Sequence, residues 1–326
     1  MKVVPVEDAV GKMLCHDMPG RPEDEGPLFH KGHRVTESDI PDLLRIGKEE
    51  IQVQDIPHGK LDSDTAALRV ARAASGPWLY PGRPQDGYVS MTAAPGLLDI
   101  NVQALYEINA IGEAVLATLH HGTAFTNPCE VAGVRVVPLL ADEAKIERIE
   151  ALCADAYPVI RLRPLNHLRV GIVTTGSDLF QGKVKDTYGP ELKRKLGLLG
   201  SETVRQTFVG DDTVATRSAV QEFAADGVDM VLVTGGMSRE PDAQTPAAIR
   251  AAGAELVADR APTLPGALFL LAYLGKVPVL GLPDENSCGR ASIFDLVVPR
   301  LLAGDRISRS DILSMGHGGF CSGCSP

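Results

Sequence analysis

Long runs of lysine and arginine are missing from this chain, the longest being Lys193-Arg194-Lys195, and acids outnumber bases by 42 to 32, a formal net charge of −10. That balance disfavours nucleic acid and anionic membrane surfaces as partners. No apolar stretch can span a bilayer. The longest, Ala267 to Leu274, is closed by Gly275-Lys276. No signal peptide is visible, because Met1-Lys2-Val3-Val4-Pro5-Val6 turns acidic at Glu7-Asp8 before any long apolar region. A disulfide framework is missing too: Cys15, Cys129, Cys153 and Cys288 are scattered, as suits a reducing compartment. We therefore expect a cytoplasmic protein with neither nucleic-acid nor membrane partners. No internal repeat is visible, and 326 residues suffice for two or three domains.

What is there changes character along the chain. Residues 1–57 read as a small β-rich unit. Thr36 with Asp39 three residues on gives a capping signal, and Val35 with Ile40 has the spacing of a hydrophobic staple. A short helix through Leu43 and Leu44 follows, then a strand at Ile51-Gln52-Val53, and His58-Gly59-Lys60 reads as a linker. Residues 58–160 read as α+β. An alanine-rich helix spans Asp64 to Ala74 and a second spans Val102 to Ile111. Strands are expected at Leu97 to Asn101, Ala114 to Thr118 and Val134 to Leu139.

Residues 161–310 read as an α/β domain, a mostly parallel sheet covered by helices on both faces. Strands are expected at 168–173, 203–208, 230–233, 255–257 and 277–282, with helical faces between them at Leu192, Leu196, Leu199 and at Val214, Val220, Phe223, Ala224. Ligands of such sheets sit outside the carboxyl ends of the strands. Residues 311–326 read as a flexible tail. Its His317, Cys321 and Cys324 offer three soft ligands where a structural zinc site usually has four, so no metal is assigned.

Three polar segments follow buried strands in the α/β half. The first is Thr174-Thr175-Gly176-Ser177-Asp178, the second Thr234-Gly235-Gly236-Met237-Ser238, the third Pro283-Asp284-Glu285-Asn286. Hydroxyls and glycines at strand ends let a ligand reach backbone N–H groups, which is how α/β proteins hold anions. Each also has a purely structural reading. Ser177 or Asp178 can cap a helix, Asp186 can cap the helix that follows it, and one of Asp211 and Asp212 can cap the next. The double glycine is the more specific signal, since glycine after a buried strand is costly unless geometry or ligand approach requires it. Neither glycine-bearing loop has the Gly-Lys-Ser/Thr ending or the Gly-x-Gly-x-x-Gly spacing, which sets aside ordinary ATPases and dinucleotide dehydrogenases.

Taken in order, Thr-Thr-Gly-Ser-Asp-Leu at 174–179, Asp-Thr-Tyr-Gly-Pro-Glu-Leu at 186–192, Val-Gly-Asp-Asp at 209–212 and Thr-Gly-Gly-Met-Ser at 234–238 resemble the molybdopterin-binding domain. That domain is shared by molybdopterin adenylyltransferases and molybdopterin molybdenumtransferases. The likeness covers roughly residues 168–304, and the preceding half is similar to the partner region of stand-alone bacterial molybdopterin-binding proteins. It implies a pterin dithiolene phosphate lying across the strand ends. Thr174, Thr175, Gly176, Ser177, Asp178, Thr234, Gly235, Gly236, Ser238, Pro283, Asp284 and Asn286 would hold molybdopterin or its adenylylated form. Asp186, Asp212 and Asp242 would serve as catalytic acids that position magnesium or an activated nucleotide while molybdate is inserted. A molybdoenzyme or cofactor-assembly protein would be the partner, and homo-oligomers are compatible with the family.

The chain departs from the family at two points. Adenylyltransferases have an essential aspartate shortly after the double glycine, a position held here by Ala243, with Asp242 one residue earlier. Molybdenumtransferases carry Pro-Gly-Asn-Pro where this chain has Pro283-Asp284-Glu285-Asn286. The reading therefore stays open between a transferase and a non-catalytic carrier or sensor. A nucleotide pyrophosphatase of a related domain is the second alternative.

Overall fold

The computed structural model describes residues 1–20, 26–237, 243–283 and 292–320. The chain folds as two units, Met1–Arg163 and Pro164–Pro326. Among the described residues no helix is long and apolar enough to cross a membrane.

In the first unit, Glu50–Gln54 pairs antiparallel with Lys2–Pro5 on one side and Met13–Leu14 on the other. Val6, Leu14, Met18, Val35, Leu43, Ile51 and Val53 form the core beside this small sheet. The capping box is present: the Thr36 amide donates to Asp39 Oδ2 at 2.8 Å, just before the helix Ile40–Arg45. The alanine-rich helix runs Ser63–Ala74. Its small side chains let it pack closely on the helix Glu143–Asp155 and the strands Tyr88–Ala93 and Cys129–Val136. The strand expected at Val134 to Leu139 instead runs Cys129–Val136, and Val137 is 76% exposed. Pro138 has no N–H to donate and cannot extend the ladder.

In the second unit we label six strands, β1 (Arg169–Thr175), β2 (Glu202–Val209), β3 (Met230–Thr234), β4 (Glu255–Ala258), β5 (Leu270–Leu274) and β6 (Val277–Leu282). The sheet order is β2-β1-β3-β6-β5-β4; the first four are parallel and β5 and β4 are antiparallel additions. The helices are α1 (Ser177–Phe180), α2 (Tyr188–Leu198), α3 (Thr213–Ala225), α4 (Gln244–Ala251), α5 (Ile293–Leu302) and α6 (Arg309–Ser314). Successive strand residues alternate between two cores. Val170, Ile172, Met230 and Leu232 pack with Leu192, Leu196, Phe294 and Val297 of α2 and α5. Val173, Val231 and Val233 pack with Val220, Phe223 and Ile249 of α3 and α4. Burial on both faces is why these strands read as continuous apolar runs.

Two expectations change. Strand β5 lies in the apolar run that the sequence marks only by its length. It pairs with β6 through the Gly275-Lys276 turn. Val214 is 58% exposed, because it stands in the first turn of α3, beyond the sheet that Val220 and Phe223 cover.

Gly171 on β1 is a packing requirement. A Cβ there would meet three ring carbons of buried Phe223 at 2.5, 2.7 and 2.9 Å. Gly171→Ala should therefore cost about 1–3 kcal/mol through overpacking. Urea unfolding measures it, and an unchanged midpoint would mean that the ring has room to move. Acid should act through Asp311. This residue accepts from Arg300 Nη2 at 2.9 Å and from the Ser308 amide at 2.8 Å, and the Arg300 bond, then the Ser308 bonds, hold its carboxyl down to about 2. A folded value below the unfolded one contributes stability that is complete above the unfolded value of 3.8 and is lost as pH falls through about 2. Asp311→Asn should thus be less stable than the wild type at neutral pH, with the gap closing in that acid window. A gap independent of pH would exclude the ion pair as its source.

Candidate functional site

The order β2-β1-β3 places the reversal of strand order between β1 and β3, where α/β sheets leave a crevice at their carboxyl ends. Parallel register puts Thr174 opposite Thr234, and Thr234 opposite Leu282. The first residues of the first two polar segments, and the residue just before the third, therefore stand side by side on adjacent strands.

Thr174 and Thr234 are buried and touch, Thr234 Oγ1 lying 3.3 Å from Thr174 Oγ1. Gln206 of β2 donates from Nε2 to Thr174 Oγ1 at 2.8 Å and to Asp186 Oδ2 at 2.6 Å. The other oxygen of Asp186 accepts the amides of Tyr188 at 3.1 Å and Gly189 at 2.9 Å, opening α2. A polar chain thus runs Thr234, Thr174, Gln206, Asp186. Gly189 belongs to it sterically, since a Cβ there would collide with the Asp186 carboxylate and the Gln206 amide.

The double glycine has its own packing reason. Gly235 and Gly236 sit at φ 80° and 60°, and a Cβ on Gly235 would strike the Thr175 carbonyl. Thr245, fully buried in the first turn of α4, fastens this loop: its Oγ1 donates to Gly235 O at 2.8 Å and its amide to Gly236 O at 3.3 Å. Thr175 Oγ1 lies in the same gap, buried and without a hydrogen-bond partner among the described residues. Such a group is costly to leave unpaired.

Ser177 turns toward β2 instead. Its amide donates to Asp211 Oδ2 at 2.9 Å, while the Asp211 amide donates back to Ser177 Oγ at 3.3 Å. The Gly176 amide reaches Val209 O at 3.0 Å. Asp212 caps α3, accepting the Val214 amide at 2.7 Å. Asp178 is exposed and lies 3.6 Å from Lys183 Nζ. Pro283 is buried just after β6 and lines a narrow cleft with Tyr188, Leu192, Lys195 and Phe294. Ala243 precedes α4. Ser238, Asp242, Asp284 and Asn286 lie outside the described residues, as do Cys288, Cys321 and Cys324. Among the described residues no three His, Cys, Asp or Glu side chains converge as a metal site would need.

The structure therefore brings together Thr174, Thr175, Thr234, Gly235 and Gly236, ties Asp186 to them through Gln206, sets Pro283 in the adjoining cleft, and leaves Asp178 and Asp212 facing elsewhere. Sequence reading missed Gln206 and Thr245. Gln206 sits in an edge strand rich in polar residues, where nothing marks one of them as inward-facing. Thr245 opens a helix, where a threonine is unremarked.

Such a site defines a doubly wound α/β domain with hydroxyl and glycine loops at its switch point. Residues 171–303 match the family model described as a probable molybdopterin binding domain. Residues 3–55 match a domain of unknown function, DUF8806. A CinA-like protein of Mycobacterium sp. strain MCS is 36% identical over 92 residues, 28% of this chain and 22% of that one. The CinA-like protein of Mycobacterium tuberculosis is 30% identical over 132 residues, 40% of this chain and 31% of that one. The chain thus spans less than a third of these curated relatives. Among solved structures, the molybdopterin biosynthesis enzyme MoaB of Thermus thermophilus matches at 23% identity and TM-score 0.34, over 42% of this chain and 98% of that one. The molybdopterin biosynthesis Mog protein of Mycobacterium ulcerans matches at 19% identity and TM-score 0.32, over 41% and 92%.

Gln206→Ala should cost about 1–3 kcal/mol, because it strips a donor from two oxygens of a partly buried network. Hydrogen exchange at the Tyr188 and Gly189 amides should speed up with it. Unchanged exchange there would show that Asp186 holds its place without the glutamine.

Proposed function

We propose that the α/β unit binds molybdopterin, free or adenylylated, and that the protein acts in the assembly or handling of the molybdenum cofactor. The observation that carries this reading is the juxtaposition of Thr174–Gly176 with Thr234–Gly236 at the switch point of a domain of this family, with the Thr175 hydroxyl buried there and unpaired. A ligand acceptor reaching the gap would give that hydroxyl its missing partner. The cofactor's phosphate would take the Ser177 amide now held by the Asp211 carboxylate, which is itself an anion in the place of an anion. The fit is of donor type, and the chain's residues would bind and orient the group.

Of the two forms of this reading, binding without catalysis has the more specific support. Asp186 spends both oxygens on Gln206 and two amides, Asp212 spends one on its helix cap, and Ala243 stands where adenylyltransferases carry an acid. A carboxylate already bound by amides is a weak candidate for holding magnesium. Transfer with molybdate insertion remains the alternative that a single turnover decides.

Isothermal titration with molybdopterin should give saturable binding. Asp211→Asn should tighten it roughly fivefold, since one negative charge a few ångström from the phosphate is worth about 1 kcal/mol in water. Adenylylated molybdopterin with molybdate should bind without releasing AMP. Release of AMP in a single turnover would replace the carrier reading with the transferase. Absence of molybdopterin binding together with hydrolysis of nucleotide pyrophosphates would replace both.

A further inference from the structure

The first unit holds a cavity of about 580 Å³, lined by Val10, Arg34, Thr36, Asp62, Leu68 and Arg83 among others. It shares His33 and Asp64 with a neighbouring cavity of about 310 Å³. Asp62 is only 2% exposed. Its Oδ1 accepts the Thr65 amide at 2.8 Å and so caps the helix Ser63–Ala74. Its Oδ2 is buried with no hydrogen-bond partner among the described residues. The nearest cation, Arg34 Nη1, stands 3.7 Å away, outside hydrogen-bond range, on a side chain 48% exposed.

The cap does not explain the carboxylate. Capping uses one neutral acceptor, and serine or asparagine serves as well. A second carboxyl oxygen buried without a donor is a cost. Asp64 adds to the acceptor surplus: one of its oxygens takes the Gly87 amide at 2.6 Å, and burial pushes its carboxyl above the usual range. On the same cavity wall Arg83 is exposed and has no carboxylate partner among the described residues. The cavity therefore presents one buried acceptor with an ion-pair neighbour but no hydrogen bond, one cation without a carboxylate partner among the described residues, and apolar surface from Val10, Leu68 and Pro84.

We propose that this cavity binds a small zwitterion carrying an amine and a carboxylate on an apolar stem. The ammonium bonds Asp62 Oδ2 and displaces the loosely placed Arg34 guanidinium. The carboxylate pairs with Arg83 through its planar fork of donors. The stem lies against Leu68. The site belongs to a different unit from the strand-end loops and stands whether or not those bind molybdopterin.

Titration calorimetry of the full chain with ε-aminocaproate tests this, with hexylamine and caproate as single-headed controls. The zwitterion should bind saturably and each control at least tenfold more weakly. Asp62→Asn, which keeps the capping oxygen, and Arg83→Ala, on an exposed side chain, should each weaken the zwitterion at least tenfold with little change in melting temperature. Arg34→Ala should tighten it by removing the internal competitor. Failure of ε-aminocaproate to bind both the wild type and Arg34→Ala overturns the proposal. So does binding that survives both Asp62→Asn and Arg83→Ala.

Discussion

Everything at the strand ends depends on the parallel register that sets Thr174 against Thr234. A one-residue slip would send every side chain of β1 to the opposite face. It would turn Thr174 away from Gln206 and break the polar chain to Asp186. The register is fixed by burial on both faces. Ile172 and Leu232 must reach one core while Val173 and Val233 reach the other. A polar rim one residue beyond such a core inherits its precision, since the loops begin where the ladder ends.

Close packing then fixes the loops themselves. Gly189, Gly235 and Gly236 each stand where a side chain would collide with another part of the rim. The double glycine is therefore required by the fold before any ligand is considered. What packing does not explain is the Thr175 hydroxyl, buried beside those glycines with no partner. A residue without an Oγ could fill that space without the cost of an unpaired donor, which is why the hydroxyl, more than the glycines, points to a ligand.

The fold was legible in the sequence where burial and period agree. Strands β1, β2, β3 and β6, the alanine-rich helix and the Thr36–Asp39 box all show local patterns strong enough to survive tertiary context. Strand β5 escaped because an apolar run of eight residues carries no period to separate strand from helix. The candidate site was half legible. Its loops announce themselves by composition, but the partners that hold them do not. Gln206 looks like any polar residue of an edge strand, and only the register shows that it faces inward. The acids illustrate the same limit. Asp211 and Asp212 are adjacent and alike in sequence, yet one bonds the Ser177 amide while the other caps α3.

That allocation of carboxylates bears on selectivity. The net charge of −10 repels anions at a distance, and nearby the Ser177 amide is already held by Asp211. An inorganic anion arriving there exchanges one negative partner for another and releases a carboxylate that then repels it, so its net gain is small. A ligand with a flat heterocycle as well as a phosphate offsets the exchange with buried area and with contacts to uncharged groups such as the Thr175 hydroxyl. The self-held amide thus raises the threshold for all anions equally, and only those with enough surface elsewhere clear it. Acids placed on the rim are in this view compatible with an anionic guest, because the same cost falls on every anion and a large one has surface elsewhere to offset it.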